Sequence, residues 1–421
     1  MFPTIPTKRG IVNVLHLLSH VVNFRDVFAQ PCVLFHGYVL PSCLCYNICH
    51  MLIGIDASRA ARPERTGTEN YAYHLIRSLL AQATAHQYRL YFSQPPPAGL
   101  FDSRAEARVI RVPRLWTHLG LGSEMLRRPP ALLFVPAHVL PLAHPRRSVV
   151  TIHDLGYRYF PEAHTAAQRC YLEWSTRFAV RHATRLIAVS QATKNDLLKL
   201  YGAETLKVTV VHHGLNSEAG TPSRGANYAT ERLAARFGLP QRYIMAIGTV
   251  QPRKNYARLI AAYASLGLAR DETALVIVGK PGWNSAQIEA QAAQVNSTVH
   301  VILAGRVSDE DKFALLAGAT AYVLPSLYEG FGMPILEAQA AGVPVITSST
   351  SSCPEVAGDG ALLVDPLDTQ AIAQSLRRVL ADEPLRRALI AKGFANAAQF
   401  SWQRCARESL AVLEAAHEES V

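Results

Sequence analysis

Two glutamates lie eight residues apart in the stretch YEGFGMPILEAQAAGVPVI (328–346), where most other residues are small or apolar. Glu329 precedes a glycine-rich turn, and Glu337 falls about one turn inside the helix predicted to follow. Pro334 is favoured at the first helical position, so the turn residues have free backbone N–H groups. Two carboxylate acceptors beside several amide donors suit a polyhydroxyl ligand, such as a sugar or a ribose. The turn residues are Gly330, Phe331, Gly332 and Met333.

Ordinary helix chemistry is an alternative explanation of this stretch. A glutamate in the first turn of a helix is stabilised by the helix dipole alone. The Gly-x-Gly-x-Pro pattern also forms turns that bind no ligand. Taken by itself, the stretch leaves both explanations open.

A second segment, GTVQPRKNYARLI (248–260), places two cations directly after a predicted strand. Asn255 is predicted to be the N-cap of a helix over residues 256–266. Arg253 and Lys254 would then lie at a helix N-terminus, where the dipole and the free amides favour an anion. A diphosphate leaving group needs such stabilisation as charge develops on it. Two solvated cations in a loop are the alternative, but the corresponding positions of the two segments favour a shared site.

Short apolar runs alternate with helical patterns from residue 51 onward, which predicts buried strands joined by helical crossovers. Such strands form parallel sheets covered on both faces. Two series of them predict an α/β protein with two doubly wound domains and a ligand cleft between the domains. The predicted strands are 52–56, 88–92, 107–112, 131–136, 148–154, 185–190 and 207–214, then 243–248, 274–279, 299–305, 321–326, 344–349 and 361–366. Predicted helices include 68–83, 166–181 and 191–201, the last with Ser190 as its N-cap.

The first fifty residues differ from the rest. They hold four of the seven cysteines and almost no charge, and they show no helical or strand period. Because Met51 opens the first predicted strand, we interpret residues 1–50 as a non-native or disordered extension. A signal peptide and a metal site fit this segment less well. A polar linker is predicted near residues 215–230.

Composition limits the classes of function. The chain has 421 residues, 49% of them hydrophobic and 18% charged, which suits a globular protein of two domains. No uncharged apolar run is long enough to predict a membrane span. The irregular cysteine spacing indicates neither a zinc site nor a disulfide framework. We therefore expect a reducing, cytoplasmic location.

The net charge of +10 belongs to the first half of the chain. Residues 51–235 hold 23 basic and 13 acidic side chains, whereas residues 236–421 hold 16 and 18. A basic half could meet an anionic membrane surface, a nucleic acid or an anionic substrate, and a generally basic solvated surface is the alternative. No RNA-binding signature is present, so a nucleic acid is the weakest of these partners. Neither a Gly-x-Gly-x-x-Gly fingerprint nor a Walker A motif appears, which argues against a dehydrogenase or a P-loop enzyme.

Five segments together resemble the family 4 retaining glycosyltransferases (group 1) in their order along the chain. They are VSQATKNDL, GTVQPRKN, LAGRVSDEDKFALLAGA, YEGFGMPILEAQAAGVPVI and PEVAGDGALLVDP. The resemblance spans about residues 51–410, and TIHDLGYRYFPEAH is similar to bacterial mannosyltransferases of polysaccharide and O-antigen assembly. It implies the GT-B fold, in which two Rossmann-like domains face a central cleft.

The resemblance also implies what each part of the chain does. Residues 51–235 would form the acceptor domain, and residues 236–400 the sugar-nucleotide domain. Residues 401–421 would form a C-terminal helix that crosses back to the first domain. Closure of the two domains would then assemble the site.

The resemblance assigns roles to the residues identified above. Glu337 would hold the ribose of the nucleotide. Glu329 and the amides of the glycine-rich turn would hold the hydroxyls of the donor sugar. Lys254, with Arg253 nearby, would hold the diphosphate. Many members of the family have an arginine directly after the glycine that corresponds to Gly248, whereas this chain has a threonine there, which gives more weight to Arg253 and Lys254.

Further site residues follow from the resemblance alone. His153 and Asp154, at the end of a predicted strand, would face the donor sugar and take part in catalysis with Glu329. The remaining donor-binding residues would be Gly67 and Thr68 near the phosphates, and Gly305, Arg306 and Val307 near the base.

The implied reaction is retaining transfer of a hexose, with mannose favoured, to a glycan or lipid-linked acceptor. The donor would be a nucleoside diphosphate sugar, either GDP-mannose or a UDP-hexose. Front-face transfer is favoured, in which the leaving diphosphate helps to deprotonate the acceptor, and we assign no covalent nucleophile. We identify no Asp-x-Asp motif that would bind a metal, so we expect no cofactor and no obligatory divalent ion.

One stretch of the first half indicates a membrane partner. RLWTHLGLGSEMLRR (114–128) combines an aromatic residue, leucines and a methionine with three arginines. Such a segment could dock on the anionic inner face of a membrane. A loop and helix packed on their own domain explain the composition equally well. The residues concerned are Trp116 and Met125 with Arg114, Arg127 and Arg128.

Two other functions remain open from the sequence. A sugar-nucleotide 2-epimerase shares the two-domain fold, although the glutamate motif and the Arg253–Lys254 segment favour a transferase. A non-catalytic subunit with the same fold could merely bind or scaffold a partner. Fold alone does not decide among them.

Overall fold

A computed structural model describes residues 50–62, 65, 67–102, 104–216 and 226–419, with the side chains of all but residues 226–230. The described residues belong to one unit that begins at His50. The extension predicted for residues 1–50 therefore lies outside the described residues, apart from His50.

The first half of the described chain contributes one sheet of seven parallel strands. The strands are β1 (Leu52–Asp56), β2 (Gln87–Phe92), β3 (Ala105–Val109), β4 (Leu132–Val135), β5 (Ser148–Ile152), β6 (Arg185–Ala188) and β7 (Val208–Val210). Their order is β3-β2-β1-β4-β5-β6-β7, so the chain starts at the middle, reaches one edge and returns beside its first strand. This reversal between β1 and β4 is the switch point of a doubly wound sheet.

Helices cover both faces of this sheet, and their ends follow local sequence signals. They are α1 (Gly67–Leu80), α2 (Gly122–Arg127), α3 (Gly156–Tyr159), α4 (Ala166–His182) and α5 (Gln191–Tyr201), with a π-helical turn at Trp116–Leu121. The predicted N-cap of α5 is confirmed, since the Ser190 hydroxyl accepts a hydrogen bond from the backbone N–H of Thr193. Gly202 ends α5 in the left-handed region.

The second half repeats the arrangement with six parallel strands. They are β8 (Arg242–Ile247), β9 (Thr273–Val278), β10 (His300–Gly305), β11 (Ala321–Leu324), β12 (Val345–Ser348) and β13 (Ala361–Val364). Their order is β10-β9-β8-β11-β12-β13, so the reversal lies between β8 and β11. The helices are α6 (Ala226–Phe237), α7 (Tyr256–Ala264), α8 (Ser285–Val295), α9 (Asp309–Ala317), α10 (Met333–Ala340), α11 (Cys353–Ala357), α12 (Thr369–Ala381), α13 (Glu383–Ala397) and α14 (Trp402–Glu418).

The predicted α/β fold with two doubly wound sheets is confirmed, and a strand lies at each predicted position. The largest difference is β7, which ends at Val210 rather than at residue 214. Beyond it the chain packs against the last helix, where a Cβ on Gly214 would lie 2.2 Å from the backbone N of Trp402. After Val210, close contact with the backbone at the start of α14 therefore takes the place of pairing with β6.

Helix α6 lies with the second sheet rather than with the first. Leu233 is fully buried in the core that contains Tyr243 and Leu316, and α6 packs against α9. The domain boundary predicted at residue 235 therefore falls inside a helix of the second domain.

Helix α14 lies against the first domain, although it follows the second domain in the chain. It packs on α1 and on strands β4, β5 and β6. Its residues Trp402 and Leu413 share one hydrophobic core with Ile53 and Leu75. The chain thus passes from the first domain to the second and back. In the described part of the chain, no helix is both long and apolar enough to cross a bilayer.

Candidate functional site

The two segments identified from the sequence lie in the loops that follow β8 and β11. Because these strands are neighbours at the switch point, their carboxyl ends open at the same place. The backbone N–H of Leu327 donates to the carbonyl of Arg253 at 2.9 Å. The two loops therefore form a single site.

Asn255 holds these loops together instead of capping a helix with its side chain. It precedes α7 in the left-handed region, with φ of 62°, and its side chain makes no capping hydrogen bond. Its Nδ2 instead donates to the carbonyls of Pro325 at 2.9 Å and Pro366 at 2.7 Å. Asn255 is therefore the N-cap residue of α7, as predicted, but its Oδ1, the atom that would cap the helix, accepts from Arg258 Nη1 at 2.8 Å instead.

Glu329 is buried at the centre of the site and binds both predicted cations. Its Oε1 accepts hydrogen bonds from Lys254 Nζ and from Ser326 Oγ, each at 2.6 Å. Its Oε2 accepts from Arg253 Nη1 at 3.1 Å. Only 6% of Glu329 and 8% of Lys254 are exposed, so water contributes little to neutralising these charges.

These neighbours keep the Glu329 carboxyl ionised despite its burial. Burial is the largest single effect and would raise the pKa of Glu329. The charges of Lys254 and Arg253, with the hydrogen bonds from Lys254 and Ser326, outweigh it and lower that pKa to about 2. At neutral pH the residue is a carboxylate that can only accept hydrogen bonds.

This pairing differs from the arrangement drawn from the sequence. There, the cations and the glutamate were assigned to different parts of one ligand. In the structure Pro252–Lys254 is a short 3-10 helix, and both cations contact Glu329 directly. A ligand anion at this point would therefore share Arg253 and Lys254 with Glu329.

Gly330 forms the contact between the glycine-rich turn and the first domain. A Cβ at this position would lie 2.1 Å from the carbonyl oxygen of His153. The Gly330 carbonyl accepts a hydrogen bond from Ser190 Oγ at 2.7 Å. The space that a side chain would take at residue 330 is therefore filled by the residue that follows β5.

The rest of the turn sets the start of α10. Gly332, with φ of 102°, is the N-cap, and the helix begins at Met333. Pro334 therefore lies one position later than predicted. Phe331 is buried and its ring stacks on His213, with ring centroids 4.5 Å apart. Its side chain thus belongs to the interdomain contact.

Glu337 lies about one turn inside α10, as predicted, and is paired with a lysine that the sequence analysis missed. Its Oε1 accepts from Lys312 Nζ at 3.1 Å. Lys312 is in the first turn of α9, which begins after the N-cap Ser308. That N-cap was a local signal that could have placed Lys312 near the site.

A cleft of about 1010 Å³ opens beside this cluster, between the loop after β1 and the carboxyl ends of β8, β9 and β10. Arg306 and Val307 line it, as expected, and Gly305 precedes them at the end of β10. The predicted Gly67 and Thr68 are not among its lining residues. Cationic side chains are frequent on its walls, which gives it a positive field suited to a diphosphate. They are Arg62, Arg65, Lys280, Arg306 and Lys312, with Asp309 beside them.

Gly248 connects the cleft to the Glu329 cluster. It lines the cleft, and a Cβ there would lie 2.9 Å from Cε and 3.3 Å from Nζ of Lys254. The Lys254 ammonium therefore lies directly beneath the cleft at this glycine. Thr249, in the position where many family members carry an arginine, also lines the cleft.

His153 and Asp154 directly follow β5, on the first-domain side of the Gly330 contact. His153 Nε2 lies 2.8 Å from the carbonyl oxygen of Pro136, so this nitrogen is the donor and Nδ1 is left as an acceptor. Burial is the main cause that lowers the pKa of His153, with the hydrogen bond to Pro136 opposing it. The imidazole is therefore neutral at pH 7. Asp154 Oδ1 accepts from the backbone N–H of Gly156 at 2.9 Å.

The sequence does contain one Asp-x-Asp triplet near the site, at residues 309–311. Asp311 forms an ion pair with Arg232 of α6, and its backbone N–H donates to the N-cap Ser308. Asp309 is mostly exposed and lies 3.4 Å from Lys312 Nζ. Each carboxylate therefore has a cationic partner.

Two family models match the chain. The model described as Glycosyl transferases group 1 matches residues 230–395. The model described as Glycosyltransferase Family 4 matches residues 65–219. Together they cover every strand of the two sheets except β1, and most of the residues that line the cleft.

Among similar proteins, the O-antigen chain mannosyltransferase B of Escherichia coli is 33% identical over 266 residues, which are 63% of this chain and 69% of that protein. The MMP alpha-(1->4)-mannosyltransferase of Mycolicibacterium hassiacum is 33% identical, over 58% of this chain and 57% of that protein. The serotype-specific mannosyltransferase WbdA of Escherichia coli is 28% identical over 53% of this chain. The match spans only 28% of WbdA.

Solved structures share the fold at low sequence identity. Sucrose-phosphate synthase from Thermosynechococcus elongatus has a TM-score of 0.67 at 19% identity and covers 87% of this chain and 99% of its own. WaaG, a glycosyltransferase involved in lipopolysaccharide biosynthesis, has a TM-score of 0.63 at 18% identity, over 86% and 99% of the two chains. The two-domain architecture is therefore that of the GT-B glycosyltransferases.

Proposed function

The chain belongs to glycosyltransferase family 4 (group 1), and from that membership we propose that it transfers a hexose from a nucleoside diphosphate sugar with retention of configuration. The acceptor is a glycan or a lipid-linked glycan. The observation that carries the proposal is the buried Glu329–Lys254–Arg253 cluster directly beneath a cationic cleft. Lys254 and Arg253 supply positive charge for a diphosphate, and Glu329 supplies a carboxylate, fixed in position, that can accept hydrogen bonds from sugar hydroxyls.

The cleft supports a specific pose of the donor. Its cationic walls suit the diphosphate, with Lys254 beneath Gly248 as the nearest buried charge. Glu337 accepts from ribose hydroxyls while Lys312 holds its carboxylate in place. Arg306 and Val307 then flank the base. Because Lys254 and Arg253 are already ordered by Glu329, they need little rearrangement as negative charge develops on the leaving diphosphate.

The side chains present favour transfer on one face of the sugar. Glu329 is a weak base, since its pKa is about 2 and both carboxylate oxygens accept hydrogen bonds. It therefore orients the donor sugar rather than attacking it. His153 is neutral and offers Nδ1 as an acceptor to a sugar hydroxyl. The acceptor proton passes to the leaving diphosphate, whose charge Lys254 and Arg253 balance.

Mannose is favoured as the transferred sugar because relatives at 28% to 33% identity are named as mannosyltransferases. We propose GDP-mannose as the first donor to test, with UDP-hexoses as the alternative. Arg253, Lys254 and the cations of the cleft supply positive charge without a metal. We therefore expect transfer to proceed in the presence of EDTA, without any cofactor.

Product analysis tests the proposal. The purified protein is incubated with GDP-mannose or a UDP-hexose and a panel of glycan acceptors, and the product is examined by NMR. We expect a new glycosidic linkage with the same anomeric configuration as the donor. An inverted linkage would contradict the retaining mechanism, and a C2-epimerised nucleotide sugar without transfer would indicate the epimerase. None of the similar proteins named above is described as an epimerase or as a non-catalytic subunit.

We also propose that the protein works at the inner face of a membrane, where a lipid-linked acceptor is available. Three leucines of the 114–128 stretch protrude, with 65%, 58% and 77% of Leu115, Leu119 and Leu126 exposed. Arg114, Arg127 and Arg128 are exposed around them. An apolar surface with a cationic rim suits an anionic bilayer.

Two residues of the predicted docking stretch have structural roles instead. Met125 is buried in the first-domain core. Trp116 Nε1 donates to the carbonyl of Ile110 at 2.8 Å. The surface that can meet a membrane therefore consists of the three leucines and the three arginines.

A further inference from the structure

A second pocket, of about 540 Å³, lies between the two domains and shares no lining residue with the cationic cleft. We call it the tyrosine pocket, after Tyr159 and Tyr328. Asn195 and Asp196 of α5 and Ser351 of the second domain also line it. Its lining contains a carboxylate but neither lysine nor arginine. A phosphate or a nucleotide therefore fits this pocket poorly.

Its aromatic wall has the chemistry of a carbohydrate site. The rings of Tyr159 and Tyr328 stack, with centroids 4.8 Å apart and an angle of 29° between their planes. Tyr328 is buried, whereas 44% of Tyr159 is exposed. An exposed, rigid ring offers an apolar surface on which the C–H face of a pyranose can pack. Stacking against the buried Tyr328 ring fixes the orientation of the exposed Tyr159 ring.

The polar wall can recognise sugar hydroxyls. Tyr159 OH donates to Asp196 Oδ1 at 2.5 Å, and Tyr328 OH donates to Asp196 Oδ2 at 2.8 Å. A carboxylate has about four lone-pair sites, so each oxygen keeps capacity for one hydroxyl donor. The two tyrosines thus hold the carboxylate in position without using all of it.

The pocket adjoins the segment that carries Glu329. Tyr328 directly precedes Glu329 in the chain, and Ser351 Oγ accepts from the backbone N–H of Glu329 at 2.9 Å. Ser351 has φ of 52°, a conformation that is costly for a non-glycine residue. Surrounding contacts must therefore keep Ser351 in this conformation. Through Ser351, this wall of the tyrosine pocket is fixed to the segment that carries Glu329.

We propose that the tyrosine pocket binds a pyranose unit of the acceptor glycan. The inference rests on the proposed transferase function and names a site for the acceptor side of that reaction. The cationic cleft takes the nucleotide, and the tyrosine pocket takes a neutral sugar ring. A sugar held here is next to the loop that positions Glu329.

Saturation-transfer NMR tests this assignment with methyl α-mannoside, methyl β-glucoside and methyl β-N-acetylglucosaminide as probes. GDP is present in excess to occupy the cationic cleft. We expect the ring protons of at least one glycoside to receive saturation, with binding at least about fivefold weaker in Tyr159→Ala because the stacking surface is lost. Tyr159→Phe keeps the ring but loses its hydrogen bond to Asp196, so it should lose less binding than Tyr159→Ala does. Tyr171→Ala, which removes a tyrosine of 41% exposure outside the pocket, is the matched control.

The possible outcomes separate this inference from the proposed function. No saturation from any probe, or equal saturation in Tyr159→Ala, would overturn the sugar site, even if nucleotide sugars bind and react. Binding that depends on Tyr159 in a protein without transferase activity would keep the sugar site and reject the proposed function. Thermal unfolding of each variant checks that a loss of binding reflects the pocket and not the fold.

Discussion

At the scale of single residues, Glu329 is a buried carboxylate held by two cations and a hydroxyl. Breaking a buried ion pair leaves an uncompensated charge, which commonly costs about 3–5 kcal/mol. Here loss of the carboxylate would leave both Lys254 and Arg253 without this counter-ion. The residue therefore contributes to stability as well as to the proposed chemistry.

The Glu329→Gln variant should lose stability at neutral pH and lose transferase activity. The folded-state pKa of about 2 lies below the ordinary value of 4.5, so the carboxylate stabilises the fold above pH 4.5. That stabilisation, about 3 kcal/mol, is lost as the pH falls toward 2. Urea unfolding at about pH 6 and about pH 3 should show the difference between wild type and variant shrinking at the lower pH. The transfer rate should fall by about 100-fold or more.

Glu337→Gln is the matched control for this prediction. It replaces a glutamate eight residues away that is held by Lys312 instead of by the buried pair. We expect it to weaken donor binding and to lose less stability at about pH 6 than Glu329→Gln does, because the Glu329–Lys254–Arg253 cluster stays intact. A Glu329→Gln protein as stable as wild type at pH 6 would contradict the role of the ion pairs.

Sequence patterns found the residues of this site but not their partners. Glu329, Glu337, Arg253 and Lys254 belong to local patterns, each next to a strand and a helix start. The bonds from Lys254 and Arg253 to Glu329 depend on β8 and β11 being neighbours, which is a property of strand order rather than of spacing. The contribution of Arg62 and Lys312 to the cleft likewise depends on long-range packing.

At the scale of elements, the glycine-rich turn is a contact between domains. The Gly330 carbonyl accepts from Ser190 at the start of α5, and its Cα lies against the end of β5. A side chain at residue 330 would meet a backbone carbonyl, which cannot move aside as a flexible side chain can. The turn and the end of β5 would therefore have to separate.

Gly330→Ala should slow transfer more than it weakens donor binding. The added methyl group displaces the turn from His153 and opposes the closed arrangement, so kcat should fall by about tenfold or more. The donor Kd should change less, because the cationic cleft is lined mainly by other loops. Steady-state kinetics and nucleotide titration measure the two effects.

Gly122→Ala provides the comparison for that variant. Gly122 is in α2 at φ of −58°, and a Cβ there would meet its nearest neighbour at 3.7 Å, an ordinary contact. We expect wild-type kinetics from it. Equal kcat values for Gly330→Ala and wild type would show that the close contact at residue 330 is not needed for transfer.

The positions of strands were predictable from the sequence where burial alone determines which residues form them. The central strands of parallel sheets are buried on both faces and appear as apolar runs, so β1, β4 and β9 lie close to their predicted positions. The ends of strands were less predictable, since β7 ends at Val210 and not at residue 214. The place of α6 in the second domain could not be read from its own amphipathic pattern, because its partner α9 is distant in sequence.

At the scale of the whole molecule, the two domains are joined at several points besides the turn. The Glu355 carboxylate of α11 accepts from the backbone N–H of Gln191 at 2.8 Å and lies 2.7 Å from His212 Nε2. Helix α14 returns to the first domain, where it shares its core. These contacts hold the cationic cleft and the tyrosine pocket between the domains.

Membrane attachment should depend on the exposed arginines near residues 114–128. Replacing Arg114, Arg127 and Arg128 by alanine should weaken binding to vesicles of anionic lipid by about 3 kcal/mol in total, at about 1 kcal/mol for each cation. Raising the salt concentration should weaken wild-type binding in the same direction. Vesicle co-sedimentation measures both effects.

A triple variant of the second domain controls for the change in net charge. Arg377, Arg378 and Lys392 are exposed cations of α12 and α13, and their replacement by alanine should leave vesicle binding nearly unchanged. Equal vesicle binding by wild type and the first triple variant would reject docking through the 114–128 stretch.

We propose that the cationic cleft holds a nucleoside diphosphate sugar through Lys254 and Glu337. The most direct measurement is a thermal-shift panel of GDP-mannose, UDP-glucose, UDP-N-acetylglucosamine, GDP and UDP, on wild type and on Lys254→Ala, Glu337→Ala and Lys392→Ala. We predict that one nucleotide family raises the Tm of wild type and of Lys392→Ala, and that this increase is lost in the other two variants. An increase of the same size in Lys254→Ala and Glu337→Ala, or no increase with any nucleotide, would contradict the claim.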